Sequence, residues 1–273
     1  MSGAITLTLR GALDGPLELP GLAAAEPAAL GERELARLEA WHGGRRTVLG
    51  EFFEVTGGRA ERLVVRGDLR LVEGLGAGLA GGELIVEGDA GPLVGARMTG
   101  GRIEVRGDAG HGVGLGMAGG TIVVRGNAGD RVGSAVAGGS RGMTGGEIVI
   151  HGDAGAECGA LMRRGVVAVR GTVGPYAGRT MIAGTVLALG RFGPHPGRWS
   201  KRGSLVALGG IEPPATYRYA CTYRPPHLAV LLRRLRGRYG LPILDEHLTG
   251  RYHRHCGDMA ELGKGEILAW MAP

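Results

Sequence analysis

The side chains with the means to do chemistry fall into three groups. One is a row of cations that recurs with the chain's internal repeats: Arg66, Arg106, Arg125, His151 and Arg170, broken by Glu87. Cations repeated at strand spacing form a track for a polyanion with regularly placed carboxylates, or, with Glu87 among them, a solvated face. The second group is His253, His255, Cys256 and Asp258. Its donors suit zinc, but it is local and lacks the two separated ligand pairs such a site needs, so no metal is expected. The third is Met98, Met117, Met143, Met162 and Met181, which share one position of successive repeats. Nothing soft or charged accompanies them, and thioethers fill irregular core gaps, so they are read as packing.

All of these groups depend on one recurring element. Copies of it read ELIVEG (83–88), RIEVRG (102–107), TIVVRG (121–126), EIVIHG (147–152), VVAVRG (166–171), TVLALG (185–190) and SLVALG (204–209). Their closing glycines are 19 residues apart, except for one step of 26, and a weaker copy, RLVVRG, ends at Gly67. A repeat of this length means a solenoid. Period-two alternation of β-branched residues makes each copy a strand. The expected fold is therefore all-β: a single-stranded right-handed parallel β-helix of about seven to eight coils, each of about 19 residues and about 4.8 Å above the last. Left-handed hexapeptide helices need coils in multiples of six, which this period does not fit.

The inward columns of such a stack begin with Leu84, Ile103, Ile122, Ile148, Val167, Val186 and Leu205. The GDAG and GNAG loops read as corners, with glycine supplying positive φ and Asp or Asn bonding the backbone two residues on. A second glycine ladder is Gly95, Gly114, Gly133, Gly159 and Gly178. A narrow coil leaves little room for aromatics, which make up only 4% of the chain. Facing outward, Ile85, Val123, Val149, Leu187 and Val206 form an apolar stripe that wants a cover. The expectation is that a C-terminal helix hides its upper end and a partner subunit the remainder, so these five residues are the candidate partner interface. The insertion within 134–142 reads as a flexible lip that could contact the same partner.

Three parts are expected along the chain. Residues 1–55 form an N-terminal cap, with a strand over 1–10, helix formers over 23–38, helical turns in ELARLEAW (34–41) and extended chain over 47–55. Residues 56–210 carry the repeats. Residues 211–273 form an extension with one helix, starting at Pro226 and running to about Tyr239 with Leu228, Leu231, Leu232 and Leu235 on its apolar side. The net charge of +6 comes almost wholly from arginine. Neither an aromatic stacking platform nor a recognition-helix motif accompanies it, which argues against nucleic acid. No run approaches a membrane span and no signal pattern opens the chain, so a soluble cytoplasmic protein is expected. The three cysteines, Cys158, Cys221 and Cys256, are odd in number and widely spaced, which argues against disulfides.

No catalytic constellation emerges. A lyase on a β-helix needs a carboxylate cluster for calcium and a base in one groove, whereas the acids here are single rungs. A hexapeptide acyltransferase needs a catalytic histidine facing a neighbouring subunit; His111 and His151 are available, but the coil length is wrong. The residues by themselves support a rigid docking subunit.

The run GGTIVVRGNAGDRVGSAVAGGSRGMTGGEIVIHGDAG (119–155) resembles the glycine-repeat domain shared by glutamate synthase large subunits and the C subunit of formylmethanofuran dehydrogenase. A chain of this size ending in GD and GKGEIL (257–268) is similar to the latter over nearly its whole length, and its arginine-rich, lysine-poor composition favours the bacterial relatives, the C subunits of formyltransferase/hydrolase complexes. That resemblance implies a non-catalytic polypeptide beside an amidohydrolase-like formylmethanofuran hydrolase (the A subunit), a B subunit and a formyltransferase subunit. It also implies that the complex passes a formyl group from tetrahydromethanopterin to a methanofuran-type carrier, with no cofactor held tightly by this chain. Within that picture, Arg106, Arg125, Arg170 and His151 would steer the carrier's polyglutamate arm. The alternatives are the C subunit of an archaeal-type dehydrogenase, a glutamate-synthase-like spacer, or a stand-alone lyase or transferase.

Overall fold

The computed structural model describes residues 4–20, 22, 30–58 and 60–272. Its regular structure is mostly strand. In chain order the strands are β1 (Ala4–Leu9), β2 (Leu17–Glu18), β3 (Glu39–His42), β4 (Arg45–Val48), β5 (Phe53–Thr56), β6 (Arg62–Arg66), β7 (Val72–Glu73) and β8 (Glu83–Glu87). There follow β9 (Arg102–Val105), β10 (Thr121–Val124), β11 (Glu147–Ile150), β12 (Val166–Val169), β13 (Thr185–Ala188) and β14 (Arg202–Ala207). The last three are β15 (Arg218–Tyr223), β16 (Tyr252–Gly257) and β17 (Lys264–Trp270). Helices are few: α1 (Glu32–Ala36), α2 (Leu49–Phe52), α3 (Pro226–Tyr239) and α4 (Asp245–Thr249).

Every repeat contributes one strand to a 13-stranded sheet ordered β15-β16-β17-β14-β13-β12-β11-β10-β9-β8-β6-β1-β5. From β6 to β14, neighbours are parallel and equivalent positions pair: Ile103 with Ile122, Ile122 with Ile148, Ile148 with Val167. The weaker copy ending at Gly67 belongs to this ladder, since β6 pairs with β8. The repeats also meet along other lines. Single bridges run from Leu69 through Ala90, Ala109, Ala128 and Ala154 to Val173 and Phe192. The glycine ladder forms another, with Gly114 N–H donating to Val94 O (2.8 Å), Gly133 to Val113 (2.8 Å) and Gly159 to Val132 (2.7 Å). The inserted residues leave these lines intact, because Thr144 N–H still reaches back to Met117 O (2.7 Å).

The interior is aliphatic, as the inward columns require. Leu84, Ile103, Ile122, Ile148, Val167, Val186 and Leu205 are buried, and the five methionines join the same core. The corner residues hold the stack together in a way the local reading missed. Asp89 Oδ1 accepts a hydrogen bond from Asp108 N–H one repeat on (2.9 Å), Asp108 from Asn127 (2.6 Å), Asn127 from Asp153 (2.9 Å) and Asp153 from Thr172 (2.6 Å). The amide of the next repeat, not the one two residues along, is the partner, because stacking brings it within reach of a short side chain.

The flanks depart from expectation in two places. Glu39–Trp41, expected to be helical, belongs to the strand Glu39–His42: Gly43 and Gly44, both at positive φ, turn the chain into a β3–β4 hairpin. The expected extended stretch 47–55 is interrupted by α2. Part of the expected helix, residues 23–29, and the first three residues of the expected first strand lie outside the described residues. At the other end, the segment after Gly209 holds α4 and three strands besides α3. Of these, β17 pairs parallel with β14 and continues the sheet. Among the described residues no helix is long and apolar enough to cross a membrane.

Candidate functional site

The cation row runs along the outer face of the sheet, three residues past the core column of Leu84, at the C-terminal ends of β6 and β8 to β12. Its members are brought together, but with their counter-charges. Glu87 pairs with Arg66 and with Arg106 (2.7 Å). Glu104, one column over, takes Arg125 (2.9 Å) and Arg102 (3.0 Å), and Arg102 also approaches Glu83 (3.5 Å). Burial pushes the Glu104 carboxyl up, but hydrogen bonds from Arg102 and Arg125 outweigh it and hold the group below the ordinary carboxylate range. Arg125 Nη1 also lies 3.2 Å from His151 Nε2. Partial burial first, and then the charges of Arg125 and Arg170, depress the His151 pKa, so this imidazole is neutral at pH 7. Exposed pairs of this kind contribute about 0–1 kcal/mol each. The row is thus a lattice of ion pairs with a small positive surplus, and Arg170 is its one cation without an ion-pair partner among the described residues.

The C-terminal helix covers the upper end of the apolar stripe, as expected, but it also covers most of the part expected to meet a partner subunit. Val123, Val149, Leu187 and Val206 are at most 1% exposed, because α3 lies across them with Leu228, Leu232, Leu235 and Tyr239 turned inward. These four residues therefore form a second core inside this chain and have no surface to offer a partner. Only Ile85, below the end of the helix, stays half-buried. Pro226 at the first helical position starts α3, and Gly240 at φ +67° ends it in a left-handed cap. One acid fixes the docked end: Glu147, its side chain 13% exposed, meets Arg234 and Tyr239 Oη and lies 3.7 Å from Arg238. Sequence reasoning missed Glu147, because in its own repeat it looks like Glu83, whose partners are Arg62 (2.7 Å) and Arg102 on neighbouring strands.

The histidine-rich tail forms the β16–β17 hairpin, which extends the sheet beside β14, and its donors separate. Tyr219 packs edge-on against His253 and His255, and Thr222 Oγ1 bonds His253 Nδ1 (2.7 Å). Asp258 is buried and occupied by the amides of Trp199 (2.8 Å) and Ala260 (2.9 Å). Among the described residues no group of three or more His, Cys, Asp or Glu is placed to hold a metal ion.

The whole chain, helix and tail included, has a counterpart of known structure. A chain in the X-ray crystal structure of the formyltransferase/hydrolase complex (FhcABCD) from Methylorubrum extorquens, in complex with methylofuran, is 34% identical to this one. The match covers 98% of this chain and 100% of that chain, with a TM-score of 0.88. This chain belongs to the same family as that subunit of the formyltransferase/hydrolase complex. No protein-family model matches the sequence, and no curated protein does either. Coverage of this extent means that the flanks of the chain, as well as its glycine repeats, are shared with the Methylorubrum polypeptide.

Proposed function

We propose that this chain is the structural C subunit of a formyltransferase/hydrolase complex that handles a methanofuran-type carrier in cytoplasmic one-carbon metabolism. In this reading it holds the amidohydrolase-like A subunit, the B subunit and the formyltransferase subunit in place and has no active site of its own. The observation that carries the reading is the end-to-end match to a chain of such a complex. The stacked repeats support it, because a column bonded along several parallel lines is stiff enough to fix the spacing of its neighbours. We read them as a right-handed parallel β-helix of seven to eight coils, residues 1–55 capping one end and residues 211–273 extending the other.

Co-expression with the three other subunits is expected to yield one co-purifying assembly, and the chain by itself to show neither formyl transfer nor formyl hydrolysis. Turnover by the isolated chain would end the scaffold reading and favour a stand-alone enzyme. Co-purification from the native host with a metal-dependent dehydrogenase, or with amidotransferase chains, would instead point to the archaeal-type complex or the glutamate-synthase-like spacer.

Guidance of an anionic carrier arm, within the same reading, falls to Arg170 and to the exposed sides of Arg106 and Arg125, with His151 between them. Replacing all three arginines by glutamate is expected to slow formyl transfer in the assembled complex several-fold, because electrostatic steering changes encounter rates. Unchanged kinetics in an intact assembly would exclude that role.

A further inference from the structure

Arg62, Arg66, Arg102, Arg106 and Arg125 are tied to carboxylates on the same or a neighbouring repeat. Arg141, Arg163 and Arg164 are not, and they converge. They line a concave site of about 280 Å³ together with Thr144 and Ile182. All three arginines are exposed, and among the described residues none has a carboxylate within ion-pair distance. The backbone fixes their approach. Arg163 and Arg164 both donate their N–H groups to Met143 O (2.8 and 3.2 Å), which sets them against the repeat below. Gly142 N–H donates to Leu161 O (2.9 Å), so the end of the inserted segment is pinned to the repeat above and carries Arg141 to the same place. The seven-residue insertion thus delivers a third guanidinium to a pocket that two consecutive arginines already flank.

From this we infer that the corner pocket is a binding site for a small multivalent oxyanion, of the phosphate or di- and tricarboxylate class. Three like charges in one concavity repel each other unless a counter-anion sits among them, and guanidinium forks match the oxygen pairs of both anion types. Thr144 adds a hydroxyl that can donate to the same oxygens, and Ile182 gives the arginine stems an apolar wall to lie along. Two repeats further on in the same column are Lys201 and Arg202, both exposed. Their field extends the positive potential along the edge and raises the local concentration of anions at the pocket.

The test is calorimetric titration of the full chain in a low-salt, phosphate-free buffer, once with citrate and once with inorganic phosphate. Saturable one-to-one binding of at least one probe is expected, and the better probe tells a polycarboxylate from a tetrahedral oxyanion. Arg163→Gln and Arg141→Gln should each weaken it about ten-fold, the loss of one charge-assisted partner. Arg70→Gln, which removes an arginine paired with Asp68 elsewhere on the surface (2.6 Å), should leave it unchanged. Melting curves matching the parent's would exclude misfolding of these exposed variants. Failure of both probes to saturate at millimolar concentration overturns the inference, and so does binding that neither pocket substitution alters. Neither outcome bears on whether the chain scaffolds a complex.

Discussion

Gly159→Ala is expected to lower stability by about 3 kcal/mol, the sum of two separate costs. Gly159 sits at φ +70°, where a Cβ meets its own carbonyl, and that conformation costs a residue with a side chain about 1–2 kcal/mol. The second cost is steric: a Cβ there would stand 2.5 Å from Val186 Cγ2 in the core of the next repeat. Val186 is fully buried and β-branched, so it has no alternative rotamer to retreat to, and overpacking of this kind costs about 1–3 kcal/mol. For a chain of this size the midpoint of thermal unfolding should fall by roughly 6–12 °C. Gly138→Ala separates the two effects. That glycine also has positive φ, +72°, but its Cβ would meet nothing within 4 Å, so only the backbone cost of about 1 kcal/mol applies. Equal losses for the two variants would show that the close approach to Val186 carries no weight.

Leu232→Asp should have the larger effect on the exterior. Leu232 is fully buried at the centre of the α3 contact, and a carboxylate there finds neither water nor a cation inside the second core. The cost of keeping the helix docked rises by at least about 4 kcal/mol, so α3 lifts off instead. Hydrogen exchange should then show residues 226–239 losing protection while the strand amides of β9 to β13 retain theirs. The uncovered valines and leucine on those strands would form an apolar patch that lowers solubility. Unaltered protection of 226–239 would mean that Glu147 and its arginines hold the helix without the apolar contact.

What could be read from the sequence follows from what repeats. The inward columns, the strand positions and the two glycine ladders recur every 19 residues, so each copy checks the others, and the structure places them together. The helix at Pro226–Tyr239 was also visible, from its proline start and leucine spacing. That the helix would cover the stripe's upper end was legible too, but its reach down over Val123 and Val149 was not. An outward apolar column has the same pattern whether a distant helix or another chain covers it, and nothing local distinguishes the two. Glu147 was hidden for the same reason: its partners, Arg234 and Tyr239, lie on a helix that no repeat predicts. At the corners, Asp89 and Asp108 looked like ordinary turn formers, because their partners become near neighbours only after the chain has wound once around. Glu39–Trp41 misled in the opposite direction, since its helix-forming composition gave way to the hairpin that Gly43 and Gly44 impose.

At both edges of the large sheet the parallel run is broken. β5 is antiparallel to β1, and beyond β17 the pairings with β16 and then β15 are antiparallel. A pile of near-identical rungs is by nature a seed for its own continuation, since the last rung offers the next molecule what the first rung needs. A changed pairing mode at each edge removes that template, because an incoming copy would meet hydrogen-bonding groups in the wrong phase and no corner or glycine line to extend. The molecule can be built from a fibre-like motif and still be protected from polymerising.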